Sequence, residues 1–459
     1  MGVFKGPVSS RPGDVLLTGP PGLSGLSGGV DTVAPVLDIR SWLTSALTRV
    51  YLGMARKRGS SLARLPFVTD TALRPLRRDG LDPVADLRRT REQEPVSRLR
   101  IPFGVNVWLV TGHAEAKAIL ADAKSFSNDF GDVAGKAGAP AEQNPGGLGF
   151  ADPPHHTRLR KLLTPEFTLR RLARLTPGIE AIVDERLDEM ATQTGPVDLV
   201  ESFALPIPSL VICELLGVPY EHRHEFQRLS MQRFDLFGGA DASLGAISQS
   251  LDFMLRIVAR ERERPGDGLI GMIIREHGDE VSDRELAGLA DGVLTGGFET
   301  TASMLALGAL VLLRDPEARE RATRDDESVR ELVEELLRYL TVVQVAFPRI
   351  ARRDIEIGGV SIAEGEVVVC SLSGANRDAA LGADMERFDA DRPPTPHLAF
   401  GHGVHRCIGA ELARMELRAA FPALLRRFPD IRLATAETEL GFREASIVYG
   451  VESLPVLLR

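Results

Sequence analysis

The run Phe400-Gly401-His402-Gly403-Val404-His405-Arg406-Cys407-Ile408-Gly409 constrains this chain more than any other stretch. It is a loop of small residues leading into an apolar helix expected over residues 408–428. Gly401 and Gly403 admit left-handed backbone that other residues rarely adopt, so the chain can wrap tightly around one sulfur. Such a wrap aims backbone N–H groups at a thiolate and favours the ionised form that binds metal. Phe400 can shield the sulfur from water, and Gly409 lets the next helix press close to a flat ligand. His405 carries N–H donors suited to a carboxylate. A buried structural cysteine beside a glycine turn is the competing reading, and a role at every position weighs against it.

The rest of the composition narrows the setting. A net charge of −9 and a pI near 5.6 argue against nucleic acid as the main partner. Three cysteines, Cys213, Cys370 and Cys407, cannot build a disulfide framework and suit a reducing cytoplasm. No apolar run reaches the ~18 residues of a membrane span, and no signal-peptide pattern opens the chain. A cytoplasmic protein is expected.

Residues 1–36 are rich in Gly, Pro and Ser and read as a flexible leader. Residues 37–70 follow as an amphipathic helical region, and 71–459 as a single catalytic domain. In the amphipathic part Ile39, Leu43, Leu47, Val50 and Met54 recur at helical spacing before Arg56-Lys57-Arg58. Packing on the main body is the favoured reading, with peripheral membrane contact the alternative. Strands are expected over 105–111 and within 354–370, where Gly358-Gly359 and Glu364-Gly365 mark turns. Helices are expected over 114–121, 177–192, 243–262, 283–313 and 328–340. Residues 126–151 form a long Gly/Ala/Pro-rich loop of the kind that often serves as a lid.

Four further segments carry chemistry. The helix from Asp283 contains Gly296-Gly297-Phe298-Glu299-Thr300-Thr301, and two glycines inside a helix cost ~1 kcal/mol each relative to Ala. Thr300 can bond back to the Gly296 carbonyl, distort the helix and open a groove; close helix packing is the alternative reason for the glycines. Glu299 beside Thr300 offers a titratable group next to a hydroxyl, a plausible proton relay. Glu335 and Arg338 lie three apart on one helical face, a pairing that is usually solvated and of small effect. His156 and Arg160 share one side of a basic helix after Asp152-Pro153-Pro154, and Arg349 stands at the start of the strand region. Histidine and arginine together suit a carboxylate; a solvated basic face is the alternative.

These motifs occur together and in order, and over roughly residues 80–459 the chain resembles a bacterial cytochrome P-450, a haem-thiolate monooxygenase. The resemblance implies a mainly α fold with a smaller β-rich part, with haem b (iron protoporphyrin IX) between the long oxygen-binding helix and the cysteine loop. It implies Cys407 as the axial iron ligand, with Phe400 and Gly409 in the surrounding loop. Gly296, Glu299 and Thr300 match the oxygen-activating helix, the last two as its acid–alcohol pair. His156, Arg160, Arg349 and His405 fall where the family holds the haem propionates. Glu335 and Arg338 match its helix pair, with Arg387 or Arg392 as the third member. Tyr449-Gly450 replaces the more usual basic-Gly turn in a region that often touches substrate.

The implied reaction inserts one oxygen atom from O2 into a small hydrophobic substrate, and terpenoid, polyketide, fatty acid and steroid all stay open. A peroxide-dependent haem enzyme and a non-catalytic haem-binding relative are the alternatives, and the Glu299-Thr300 pair speaks against the first. No stretch reads as a flavin, nicotinamide or iron–sulfur domain, so electrons are expected from an external ferredoxin and ferredoxin reductase. Arg158, Lys161, Arg406 and Arg414 are the candidate docking cations, and the protein is expected to act as a monomer.

Overall fold

A computed structural model describes residues 73–100, 106–129, 148–233 and 240–459. The expected leader, the amphipathic region 37–70, the lid residues 130–147 and residues 234–239 lie outside the described residues. All described residues belong to one compact unit, Leu47–Arg459.

The helix Asp283–Arg314 organises this unit. Ser282 caps it, its hydroxyl accepting the Glu285 N–H at 3.3 Å, and Asp283 and Glu285 lie in the first turn. Both arrangements stabilise a helix start. The helix ends where Asp315 turns extended before Pro316, which starts the next helix. Its 32 residues span about 48 Å at 1.5 Å per residue. The first half, from Leu286 to Phe298, packs in one hydrophobic cluster; the second, from Met304 to Leu312, packs in another. By length and composition this helix could cross a membrane, which corrects the expectation that no apolar run is long enough. Its most apolar window is 72% buried inside the fold, so it is a core helix.

Against it lies Ala410–Arg427, the helix that follows the cysteine loop. The two approach closely because position 308 has no side chain: a Cβ on Gly308 would sit 2.4 Å from the Phe421 ring. The β-rich part is a five-stranded sheet in the order Val96–Arg100, Asn106–Val110, Val367–Cys370, Arg349–Ala351, Phe126–Ser127. The second and third strands pair in parallel, Val107 opposite Val367, and the rest are antiparallel. Val96–Arg100, unanticipated from the sequence, is the partner that makes Asn106–Val110 an interior strand. The hairpin Ile355–Ile357/Val360–Ile362 turns at Gly358-Gly359, as expected. Cys213 and Cys370 are fully buried core residues, and burial pushes the Cys370 thiol up to about 12.

The Glu335–Arg338 pair is not solvated. Arg338 grips both Glu335 oxygens at 2.7 Å, and the two residues are 1% and 4% exposed. Arg392 completes the group, its Nε donating to Glu335 Oε1 at 3.1 Å. Arg387 contributes only its carbonyl, which accepts from Arg338 and Arg392. Remaining Arg338 donors reach the Asn376 and Met385 carbonyls at 2.9 and 2.8 Å. Removing the shared carboxylate leaves two buried cations uncompensated. Glu335→Ala should therefore cost about 3–5 kcal/mol, whereas Arg387→Ala should stay within about 0.5 kcal/mol; denaturant unfolding followed by circular dichroism checks both.

Candidate active site

The cysteine loop folds as its glycines require. Gly401 and Gly403 take φ of 66° and 72°. Gly403 also admits no side chain, because a Cβ would lie 2.3 Å from the Leu120 carbonyl oxygen on the helix His113–Ala121. The Gly401 N–H donates to Leu398 O at 2.8 Å and the Cys407 N–H to Phe400 O at 2.9 Å, closing the loop on itself. Cys407 has accessible surface, yet burial raises its thiol pKa. The Gly409 N–H and the cations Arg160, Arg406 and Arg414 work the other way, stabilising the thiolate. Burial still dominates for the free thiol, so the ionised state expected from the sequence needs a metal to hold it. A Cβ on Gly409 would meet only ordinary contacts, with Phe167 at 3.9 Å and Cys407 Sγ at 4.0 Å, so protein packing alone does not call for glycine there.

Near Cys407 four nitrogen-bearing side chains converge. His156, 1% exposed, has no hydrogen-bond partner at either ring nitrogen, and His405 Nε2 is likewise buried and unpartnered. The two rings lie 4.2 Å apart. Arg349 is 4% exposed, its Nη1 donating to Phe347 O at 2.8 Å, and half-buried Arg160 acts electrostatically on both His405 and Cys407. Burial lowers the pKa of all four; His405, also repelled by His156 and Arg349, falls to about 4. A buried donor left unpaired costs about 1–3 kcal/mol. The donor chemistry of such a desolvated, mutually repelling cluster suits carboxylates, and it fits the propionates of a haem.

Asp152 positions this cluster and was not singled out as functional from the sequence. Its carboxylate accepts from the Asn128 N–H at 2.9 Å, Arg352 at 2.5 Å and the Ser127 hydroxyl. Its carbonyl accepts the His156 N–H at 2.8 Å, tying the helix His155–Leu163 to the edge strand Phe126–Ser127. An Asp just before a helix is a legible start signal.

On the central helix the Thr300 hydroxyl donates to Gly296 O at 2.9 Å, as the four-residue spacing predicts. The helix nevertheless runs without a break from Asp283 to Arg314, so the expected distortion does not interrupt it. The two glycines serve different ends. A Cβ on Gly297 would crowd Ile212 at 3.1 Å, the close-packing role, whereas one on Gly296 would meet nothing within 4 Å. Gly296 thus borders open space beside Thr300. Glu299 is pushed up to about 7 by burial, partly offset by Arg443, whose Nη1 lies 3.2 Å from its Oε1.

Three expectations change. Tyr449 does not face a binding space: it is 2% exposed, its hydroxyl donates to Gly80 O at 2.6 Å, and Arg78 covers its ring. Arg158 is engaged by Glu285, and Arg414 by Glu334 at 2.5 and 2.7 Å while lying over the Phe400 ring. Those two cations are committed within the chain, whereas Lys161 and Arg406 are exposed. Of the two candidates for the Glu335 group, only Arg392 brings its side chain.

A mainly helical fold with a cysteine in a tight glycine loop, desolvated nitrogen donors near it and an acid beside an alcohol on its longest helix matches the class of haem-thiolate oxidoreductases. Comparison with known proteins agrees: the family model for "Cytochrome P450" matches residues 88–275 and 260–431. The chain is 41% identical over 395 residues to cytochrome P450 165B3 of Amycolatopsis orientalis, covering 83% of this chain and 97% of that one. It is 40% identical over 371 residues to the mycinamicin IV hydroxylase/epoxidase of Micromonospora griseorubida, covering 80% and 93%. Among solved structures, P450 StaH from glycopeptide antibiotic biosynthesis superposes with a TM-score of 0.74 at 42% identity, covering 84% of this chain and 99% of that one. The chain belongs to the cytochrome P450 family, and its cofactor is haem b.

If the four donors hold the propionates, losing one should loosen the haem by about tenfold, the equivalent of about 1.4 kcal/mol. Arg349→Gln and His405→Ala should each speed haem loss to an excess acceptor globin, followed in the Soret band. Exposed His155→Ala should not.

Proposed function

We propose that the protein is a monooxygenase that inserts one oxygen atom from O2 into a small hydrophobic substrate, by hydroxylation or epoxidation. Electrons come from a separate ferredoxin and its reductase. The observation that carries this reading is Glu299, poised to titrate near neutrality, adjacent to Thr300 on a helix face that borders open space. Haem, when bound, supplies the oxygen-activating chemistry, and the protein supplies orientation and controlled proton delivery.

Cys407 holds the iron, with Phe400 and Gly409 shaping the loop around it. His156, Arg160, Arg349 and His405 would hold the haem propionates. Glu299 takes protons from solvent and passes them to Thr300, whose hydroxyl can release Gly296 O to donate into the open space. An apolar substrate suits Phe347 and Ile447, each half exposed on segments joined by the Gln344 N–H to Ile447 O bond. The relative named for both hydroxylation and epoxidation supports oxygen insertion as the chemistry.

Thr300→Ala should keep the cofactor and its spectrum but divert electrons to peroxide, measured as peroxide formed per electron pair consumed. The pH dependence follows from Glu299, which can donate a proton only below its raised pKa. Coupling of electrons to product should fall as pH rises through about 7, and Glu299→Gln should lower coupling and flatten that dependence. For the electron donor, the exposed pair Lys161 and Arg406 forms the docking surface. Lys161→Glu with Arg406→Glu should raise the ferredoxin concentration needed for half-maximal turnover, more steeply at low salt; an unchanged requirement would contradict the site.

A further inference from the structure

We propose that Arg443 is a positioning residue for proton delivery: it holds the Glu299 carboxylate in place beside Thr300 and governs how readily that group takes up a proton. This rests on the reading of Glu299 and Thr300 as the relay. Arg443 lies 144 residues from Glu299 in sequence, and their side chains are 23% and 22% exposed, so water screens the pair only weakly.

The turn that brings Arg443 is held on every side. Its N–H donates to Gly450 O at 2.9 Å, the Glu452 N–H donates to Gly441 O at 2.8 Å, and Phe442 bridges to Val451. Buried Tyr449 stacks on Phe442 with ring centroids 5.7 Å apart. Gly450 presses on the central helix one turn beyond Glu299. A Cβ there would lie 2.9 Å from Ser303 Oγ and 3.5 Å from the Arg443 guanidinium carbon. The Tyr449-Gly450 turn thus bears on the acid through Arg443 instead of touching substrate itself.

No other charged residue lies between positions 295 and 303 of the helix, so Arg443 is the charged group that faces Glu299 among the described residues. Nearby Glu444 acts on Tyr449 instead. Burial favours the protonated acid and Arg443 the ionised one, so removing Arg443 leaves burial unopposed.

The test uses resting holoenzyme. Titration of the carboxyl C=O stretch by infrared spectroscopy, assigned by its loss in Glu299→Gln, should give a wild-type midpoint near 7. Arg443→Met should move it upward by about one unit, tenfold in ionisation constant, and Arg443→Lys should restore most of the shift. Coupling should also be non-additive: Arg443→Met should lower it in the wild type and add nothing in Glu299→Gln. An unmoved midpoint, or an equal loss in both backgrounds, would overturn the positioning role and leave the relay standing. Wild-type coupling in Glu299→Gln would overturn the relay, and the positioning role with it. Should Arg443→Met fail to fold, Gly450→Ala, whose Cβ crowds Arg443 and Ser303, serves in its place with the same expectations.

Discussion

The Glu335 carboxylate, shared by Arg338 and Arg392 in a site almost without water, is the interaction on which the cysteine loop depends. Alone it would be weak evidence of stability, because desolvating the charges offsets much of their attraction. Its importance lies in what it aligns. Arg338 fixes the Asn376 carbonyl, and the Asn376 side chain accepts the Leu398 N–H at 2.6 Å. Leu398 O receives the Gly401 N–H, and Phe400 O receives that of Cys407. A run of hydrogen bonds, buried at its start, therefore leads from the ion pair to the backbone of Cys407. Each member has few alternatives, since an unpaired buried polar group costs about 1–3 kcal/mol.

Among the buried polar groups without a partner, two histidines lie ring to ring. The ring nitrogens of His156 and His405 stand unpaired beside desolvated Arg160 and Arg349, near Cys407. The chemistry of these unpaired, desolvated donors suits carboxylates such as haem propionates. On the central helix Gly296 borders open space and Glu299 is poised to titrate near neutrality. The sheet edge, through Asp152, holds the helix that carries His156 and Arg160.

What the sequence revealed follows the range over which backbone geometry acts. Helical spacing fixes neighbours four apart, so the Thr300–Gly296 bond was legible, and so was the shared side of His156 and Arg160. Turn chemistry made the loop at Gly401 and Gly403 and the hairpin at Gly358-Gly359 legible for the same reason. Long-range partners were not. Whether Arg387 or Arg392 reaches Glu335 depends on how the chain between residues 376 and 398 folds back, and either arginine is suitable in type. Arg443 gave no local sign of its tie to Glu299, and Tyr449, read as part of a turn in a region that often touches substrate, is buried by Arg78 and Gly80 from far away in the chain. Arg158 and Arg414 read as free cations for a partner because their acidic neighbours, Glu285 and Glu334, come from distant helices.

The central claim is that Cys407 binds haem iron as a thiolate. The absorption spectrum of the reduced, CO-bound protein tests it most directly. A Soret band strongly red-shifted from that of an imidazole-ligated haem, and lost in Cys407→Ser, is the result this structure predicts. An unshifted band in the intact protein, or a red-shifted band that survives in Cys407→Ser, would contradict it.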